Sequence, residues 1–210
     1  MENIIVILTS IILCGISFYL LLRKQENKTR GLIAYIVISL ALVVGLAVML
    51  QFFYVENALY TNIRVIALAS IMVSIAYIDF TELRIPNEYV IVGIGYWILS
   101  IFVEILCGSQ FVMVNIISSA IAAAALFIAA VLCKVCIKGA IGAGDIKLFI
   151  VMGLLLGLDG IWSAIFLSLI TSFIEAVFFL ITKRKSRTDA MAFGPALAIG
   201  TLLSFFLTGV

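Results

Sequence analysis

From Leu32 to Val55 the chain runs without a single charged side chain. At a rise of about 1.5 Å per residue, a helix of that length crosses the roughly 30 Å hydrocarbon core of a bilayer. Ile4–Leu22 is a second uncharged run of spanning length. Such segments have no polar face to turn toward water, and the rest of the chain does not supply one. Charged residues make up 11% of the 210, hydrophobic residues 65%, and the mean hydropathy is +1.33. Soluble domains carry about 25% charged residues. Lipid must therefore cover most of the outside, and the expected fold is an all-α, polytopic membrane bundle forming one integral-membrane domain over residues 1–210. A cleaved signal peptide is not expected, because the basic residues follow the first apolar run instead of preceding it.

Reading apolar runs between charges predicts about eight transmembrane helices: Ile4–Leu22, Leu32–Val55, Asn62–Ile78, Tyr89–Leu106, Phe111–Ile137, Ile146–Leu158, Ile161–Ile181 and Ala190–Val210. The connecting loops alternate in charge. Arg23, Lys24, Lys28 and Arg30, then Arg84, then Lys134, Lys138 and Lys147, then Lys183, Arg184, Lys185 and Arg187 all fall on one side. That is twelve of the 13 basic residues, and the excess of basic residues marks the cytoplasmic side. Arg64 alone falls on the other side, where its long stem allows snorkelling to the interface. The net charge of +2 gives no reason to expect a nucleic-acid partner; the bilayer is the expected one.

Histidine is absent, which excludes Ser-His-Asp and Cys-His nucleophilic machinery in their usual forms and every His-based metal site. Cys14 and Cys107 read as small packing residues. Cys133 and Cys136 have the spacing of half a zinc or redox site, but no second pair completes it, so no metal or cofactor is expected.

The acids are more informative. Asp79 falls at the inner end of the third span and Asp145 at the inner start of the sixth, so topology alone brings both to one face. These two spans are also the shortest apolar runs, as expected of helices whose ends project into a wet cavity. Ionisable residues at membrane depth are expensive and mark function by default. Around Asp79, the run Ile78-Asp79-Phe80-Thr81-Glu82-Leu83-Arg84-Ile85-Pro86-Asn87 ends one helix and begins another, with Asn87 placed to cap it. Around Asp145, Gly139, Gly142 and Gly144 loosen the backbone and permit close approach of another chain. Each segment alone also fits a bland reading, as an interfacial charge or as a flexible turn with a capping aspartate. Together they suit a specific chemistry. Two close carboxylates share a proton: the ionised member activates water, and the protonated member polarises a peptide carbonyl and then protonates the leaving amine.

The Asp79 segment with its Pro86-Asn87 pair resembles a block of the type IV prepilin peptidases. Gly142-Ala143-Gly144-Asp145, extended by Ile146-Lys147-Leu148, is similar to their GxGD motif. Phe193-Gly194-Pro195-Ala196-Leu197-Ala198-Ile199-Gly200 is similar to their C-terminal FGPxLAxG block. The resemblance covers about Val65 to Gly200. It implies an aspartyl endopeptidase core over about 62–210, with accessory helices over about 1–55. It further implies an inner-membrane enzyme that removes the basic leader from prepilin-like proteins (type IV pilins, pseudopilins or tight-adherence pilins) at the cytoplasmic face. By motif position Asp79 and Asp145 are the implied catalytic residues, with Gly142 and Gly144 shaping the substrate groove and Lys147 contacting substrate or tuning Asp145.

Many members of that family also N-methylate the new terminus and carry a large loop with two CxxC pairs after the first span. Here the corresponding loop is the short Arg23–Arg30 stretch, so a small form without that domain is implied. The presenilin and signal-peptide-peptidase group also has GxGD, and Pro195-Ala196-Leu197 spells its PAL motif, but Ile78-Asp79 does not match its Tyr-Asp. A reading from another class is a small transporter or channel that uses Asp79, Asp145 and Glu175 as ion sites.

Overall fold

The structure, a computed structural model, describes residues 2–24, 30–136, 141–182 and 192–210. Among the described residues the chain is wholly helical: α1 (Glu2–Lys24), α2 (Arg30–Phe53), α3 (Leu59–Glu82), α4 (Asn87–Leu106), α5 (Val112–Cys136), α6 (Ala143–Ile181) and α7 (Gly194–Thr208). Five of these, α2 to α6, are long and apolar enough to cross a membrane, and Leu8–Arg23 and α7 are shorter apolar helices. The chain is a polytopic membrane helical bundle.

The eight predicted spans map onto seven helical runs because the sixth and seventh lie within α6. Gly157 (φ 63°, ψ −166°) breaks that helix. The freed N–H of the next residue, Leu158, is taken up by Ser118 Oγ at 2.9 Å. The first arm leads from Asp145 to the Gly157 end of the bundle, and contacts of the second arm show that the chain reverses there. Gly160 packs directly against Val210, whereas Thr171 Oγ1 donates to the Ala196 carbonyl at 2.8 Å, near the start of α7. The second arm of α6 thus runs antiparallel to α7 along most of its length. Left-handed backbone of this kind favours glycine, and it lies one residue inside the boundary that Asp159 suggests.

α3 is the central helix. Residues 62–75 are buried without interruption, and α1, α2, α4, α6 and α7 all pack on it. A helix whose apolar residues go all the way round belongs in such a position, and its few polar side chains, such as Arg64 and Ser70, are bonded inside the bundle. Hydroxyl groups tie its neighbours down, as is common where helices associate in lipid. Tyr35 Oη donates to the Val73 carbonyl at 2.6 Å, Ser17 and Ser70 are 3.2 Å apart, and Tyr89 Oη donates to the Ser17 carbonyl at 3.0 Å.

Two expectations about α3 need correction. It is not a short span: the helix continues through Asp79 to Glu82, because nothing in Asp79-Phe80-Thr81-Glu82 breaks it. It stops at Leu83, a left-handed residue (φ 51°) whose N–H donates to the Asp79 carbonyl at 3.0 Å. Nor does Arg64 snorkel. It is buried, donating through Nη2 to Glu104 Oε2 at 3.0 Å and through Nε to Ser100 Oγ at 2.8 Å. Asn115 of α5 donates to the other oxygen of Glu104. A lone guanidinium would have to reach for water; one with a carboxylate at the same depth does not.

The bundle has two distinguishable ends. At one lie Asp79, the α3–α4 loop and the starts of α6 and α7. At the other lie Asn57, Gly157 and Gly209, where Asn57 Nδ2 donates to the Gly209 carbonyl at 3.0 Å. Arg23, Arg84, Lys134 and Lys147 sit at helix ends or loops on the Asp79 side. Lys28, Lys138, Gly139 and the Lys183–Arg187 stretch lie outside the described residues.

Candidate active site

Asp79 occupies the last turn of α3 and is 6% exposed. Its Oδ2 accepts a hydrogen bond from the backbone N–H of Gly194 at 2.7 Å. Gly194 opens α7, and Pro195 follows it in the first turn, where a missing N–H costs nothing. The unpaired N–H groups and the dipole of a helix start favour an anionic group there. The approach is so close that a Cβ on Gly194 would lie 2.8 Å from the Asp79 Cβ and 2.9 Å from Oδ2. α7 is placed for this by Gly200, which abuts the Ser168 backbone of α6, and by Ser168 Oγ, which donates to the Leu197 carbonyl at 3.2 Å. Phe193 meets Phe149 edge-on, with ring centroids 6.0 Å apart.

Asp145 is the third residue of α6 and is half-buried. Its carboxylate reaches back so that Oδ2 accepts the N–H of Gly142 at 3.1 Å, the acidic arm of a capping box. The bland reading of Asp145 as a capping aspartate needs correction: Gly142 holds the cap position, and Asp145 closes the capping box from inside the helix. What it also misses is that Asp79, in the last turn of α3, lies at the same end of the bundle, where Ile85 of the following loop packs on Gly144. Two acidic side chains from α3 and α6 thus come to one end of the bundle, each with one oxygen held by a glycine amide.

The remaining predicted site residues join the two motif segments to each other. Ile85 takes up the room left by Gly144: a Cβ there would lie 2.9 Å from the Ile85 Cβ. Lys147, exposed, donates from Nζ to Asn87 Oδ1 at 2.7 Å. Asn87 is not the cap of α4, as the sequence suggested. Pro86 holds that position in extended conformation (φ −68°, ψ 140°), and Asn87 begins the helix with its side chain directed to Lys147. Gly142 is exposed and borders Asp145. Glu175 is half-buried, one turn past Thr171 on the second arm of α6.

Two features were not assigned from the sequence. The role of Gly194 was hidden inside a motif block whose individual residues had no stated task. Glu104 was passed over inside the fourth span, although an unmatched acid and an unmatched Arg64 at the same end of the bundle were the available signal. Of the cysteines, Cys14 is buried in the core as expected, whereas Cys107, Cys133 and Cys136 are exposed and unbridged.

Comparison with known proteins identifies the family. Residues 66–181 match the model of the type IV leader peptidase family, a segment that runs from α3 through α6 and contains both aspartates. The prepilin leader peptidase/N-methyltransferase of Bacillus subtilis (strain 168) is 27% identical over 138 residues, covering 65% of this chain and 52% of that protein. The protein of the same description from Legionella pneumophila is 28% identical over 145 residues, covering 65% of this chain and 47% of its own length. The chain thus spans about half the length of the curated relatives it matches. No solved structure matches it. With more than half of its residues matched by the family model, this chain belongs to the type IV leader peptidase family.

Proposed function

We propose that this chain is an aspartyl endopeptidase that removes the basic leader from prepilin-like precursors at the cytoplasmic face of the cell membrane, with Asp79 and Asp145 as its catalytic pair. The observation that carries the proposal is the convergence of these two acids from separate helices, with no basic side chain bonded to either among the described residues. A buried acid kept only for packing or solubility would be paired, as Glu104 is. Two acids brought to one end of the bundle without a basic partner are suited to sharing a proton. In the proposed reaction the ionised carboxylate takes a proton from water as the oxygen attacks the scissile carbonyl. The protonated partner stabilises the developing oxyanion and then transfers its proton to the departing amine.

The peptide is proposed to pass over the exposed surface at Gly142, with Gly144 and Lys147 setting the edge through Ile85 and Asn87. The protease core is proposed to be about 62–210, with α1 and α2 as accessory helices packed on α3. The bilayer-facing apolar surface, the family membership and the clustering of basic residues on the Asp79 side support a cytoplasmic active site.

Co-expression with a prepilin-like substrate tests the proposal. Wild-type protein is expected to yield the shortened, leader-free product. A substrate that keeps its leader in the presence of correctly inserted wild-type protein would refute it.

A further inference from the structure

Asp79 and Asp145 are held by the same device, although they lie on different helices and in unrelated sequence segments. In each case Oδ2 accepts a backbone N–H at the start of a helix: Gly194 for Asp79 at 2.7 Å, and Gly142 for Asp145 at 3.1 Å. In each case the donor is glycine, and a Cβ on it would lie 2.9 Å from that same Oδ2. No other hydrogen bond reaches either carboxylate among the described residues. The absence of a side chain is what lets each carboxylate settle onto the amide, and the amide then fixes which oxygen is engaged.

We propose that Gly194 and Gly142 are positioning residues of the dyad, each tethering one carboxylate through Oδ2 so that the two Oδ1 atoms are left to exchange protons with water and the peptide. The inference rests on the proposed proteolytic reading and adds a task for α7: its first turn supplies half of the geometry that the chemistry needs. Gly194 lies outside the segment matched by the family model, 115 positions from the aspartate it holds. For Gly142 the task is additional to bordering the substrate path.

The physical case turns on distance. A methyl group at either position must push the carboxylate off its amide, because 2.9 Å is closer than a carbon and a carboxylate oxygen settle without strain. A displacement of about 1 Å in a reacting group costs on the order of 10²-fold in rate while leaving remote binding contacts intact. The expected signature is therefore a fall in kcat with little change in KM, which general loosening of the bundle would not produce.

The experiment measures kcat and KM for leader removal from a purified prepilin-like substrate by wild-type protein, Gly142→Ala, Gly194→Ala and Gly95→Ala, with thermal unfolding in detergent alongside. Gly95 is the control, since nothing lies within 4 Å of a Cβ there. Gly142→Ala and Gly194→Ala are expected to lower kcat on the order of 10²-fold with KM changed less than about threefold. Gly95→Ala is expected to match wild type. Should Gly194→Ala fail to fold, Gly142→Ala decides alone, because that position is exposed and its methyl group meets chiefly the Asp145 carboxylate. Wild-type kcat in both glycine variants would overturn the tethering role. So would a raised KM with unchanged kcat, which would leave Gly142 a groove residue only. Either result can coexist with inactive Asp79→Asn and Asp145→Asn proteins, in which case the inference fails and the proteolytic reading stands. Full activity of those aspartate variants would instead overturn the proteolytic reading itself.

Discussion

The two ends of this bundle both bury acidic side chains, and they treat them in opposite ways. At the far end, Glu104 is fully buried and saturated: Arg64, Asn115 and Ser109 all reach its carboxylate, and Ser100 takes a further N–H of Arg64. That cluster joins α3, α4 and α5 and leaves no charge uncompensated. At the other end, Asp79 and Asp145 each accept one glycine amide and no basic side chain among the described residues. A cavity of about 330 Å³ opens at the far end, lined by Glu56, Tyr60, Arg64, Asn115 and Asp159 among others. Cavity size does not separate the two ends, since a second cavity of about 300 Å³ lies along Arg84, Ile85, Pro86, Asn87 and Glu88 at the Asp79 end. What separates the two is whether the acid is neutralised: Glu104, paired with Arg64, fixes helices, whereas Asp79 and Asp145, with no basic partner among the described residues, are the groups we propose for proton transfer.

Substitution can break this contrast. The largest effect is expected at the aspartates, where Asp79→Asn or Asp145→Asn should lower leader cleavage on the order of 10³-fold or more, since an amide cannot titrate. Thermal unfolding in detergent should change little, and a loss of fold equal to the loss of activity would place these acids in the same structural class as Glu104.

The mirror-image result is expected at the far end. Glu104→Gln leaves Arg64 buried without its counter-charge and should cost about 3–5 kcal/mol of stability. Cleavage per folded molecule should stay near wild type. Replacing both partners with apolar residues of similar volume, as in Arg64→Met with Glu104→Leu, should recover much of the loss. An unfolding midpoint unchanged in Glu104→Gln would remove the structural role assigned to that cluster.

A smaller effect is expected at the reversal in α6. Gly157→Ala places a side chain at φ 63°, 2.9 Å from Ser118 Oγ, and should cost about 1–2 kcal/mol, measured by unfolding in detergent. Gly45→Ala, where a Cβ meets nothing within 4 Å, is the comparison and should be nearly silent. The smallest effects are expected from Cys133→Ser with Cys136→Ser and from chelators. Both thiols are exposed and no group of three metal-binding side chains forms among the described residues, so cleavage should be retained in either case.

Much of this architecture was legible in the chain. Apolar runs of spanning length give the helices, and their alternation with basic loops puts Asp79 and Asp145 at one end. The limits are equally physical. From sequence alone Gly153 and Gly157 look like ordinary small packing residues whose replacement by alanine is mild. In fact Gly153 lies against the Ala123 backbone at 2.5 Å for an added Cβ, and Gly157 carries the left-handed turn. Hydropathy has no term for backbone conformation or for which helix lies behind a given glycine. The helical continuation of α3 past Asp79 is invisible to hydropathy, which falls at Asp79, whereas the helix stops at a conformational break, Leu83. The Arg64–Glu104 pair is invisible within either span alone. Pairing is a property of two helices together.

The central claim is that Asp79 and Asp145 act as one unit, and a comparison of single and double variants tests it most directly. Leader cleavage by purified Asp79→Asn, Asp145→Asn and the double variant should be lost to nearly the same extent, because removing either partner already abolishes proton sharing. Losses that instead multiply, with each single variant retaining substantial activity and the double variant losing the product of the two, would contradict it.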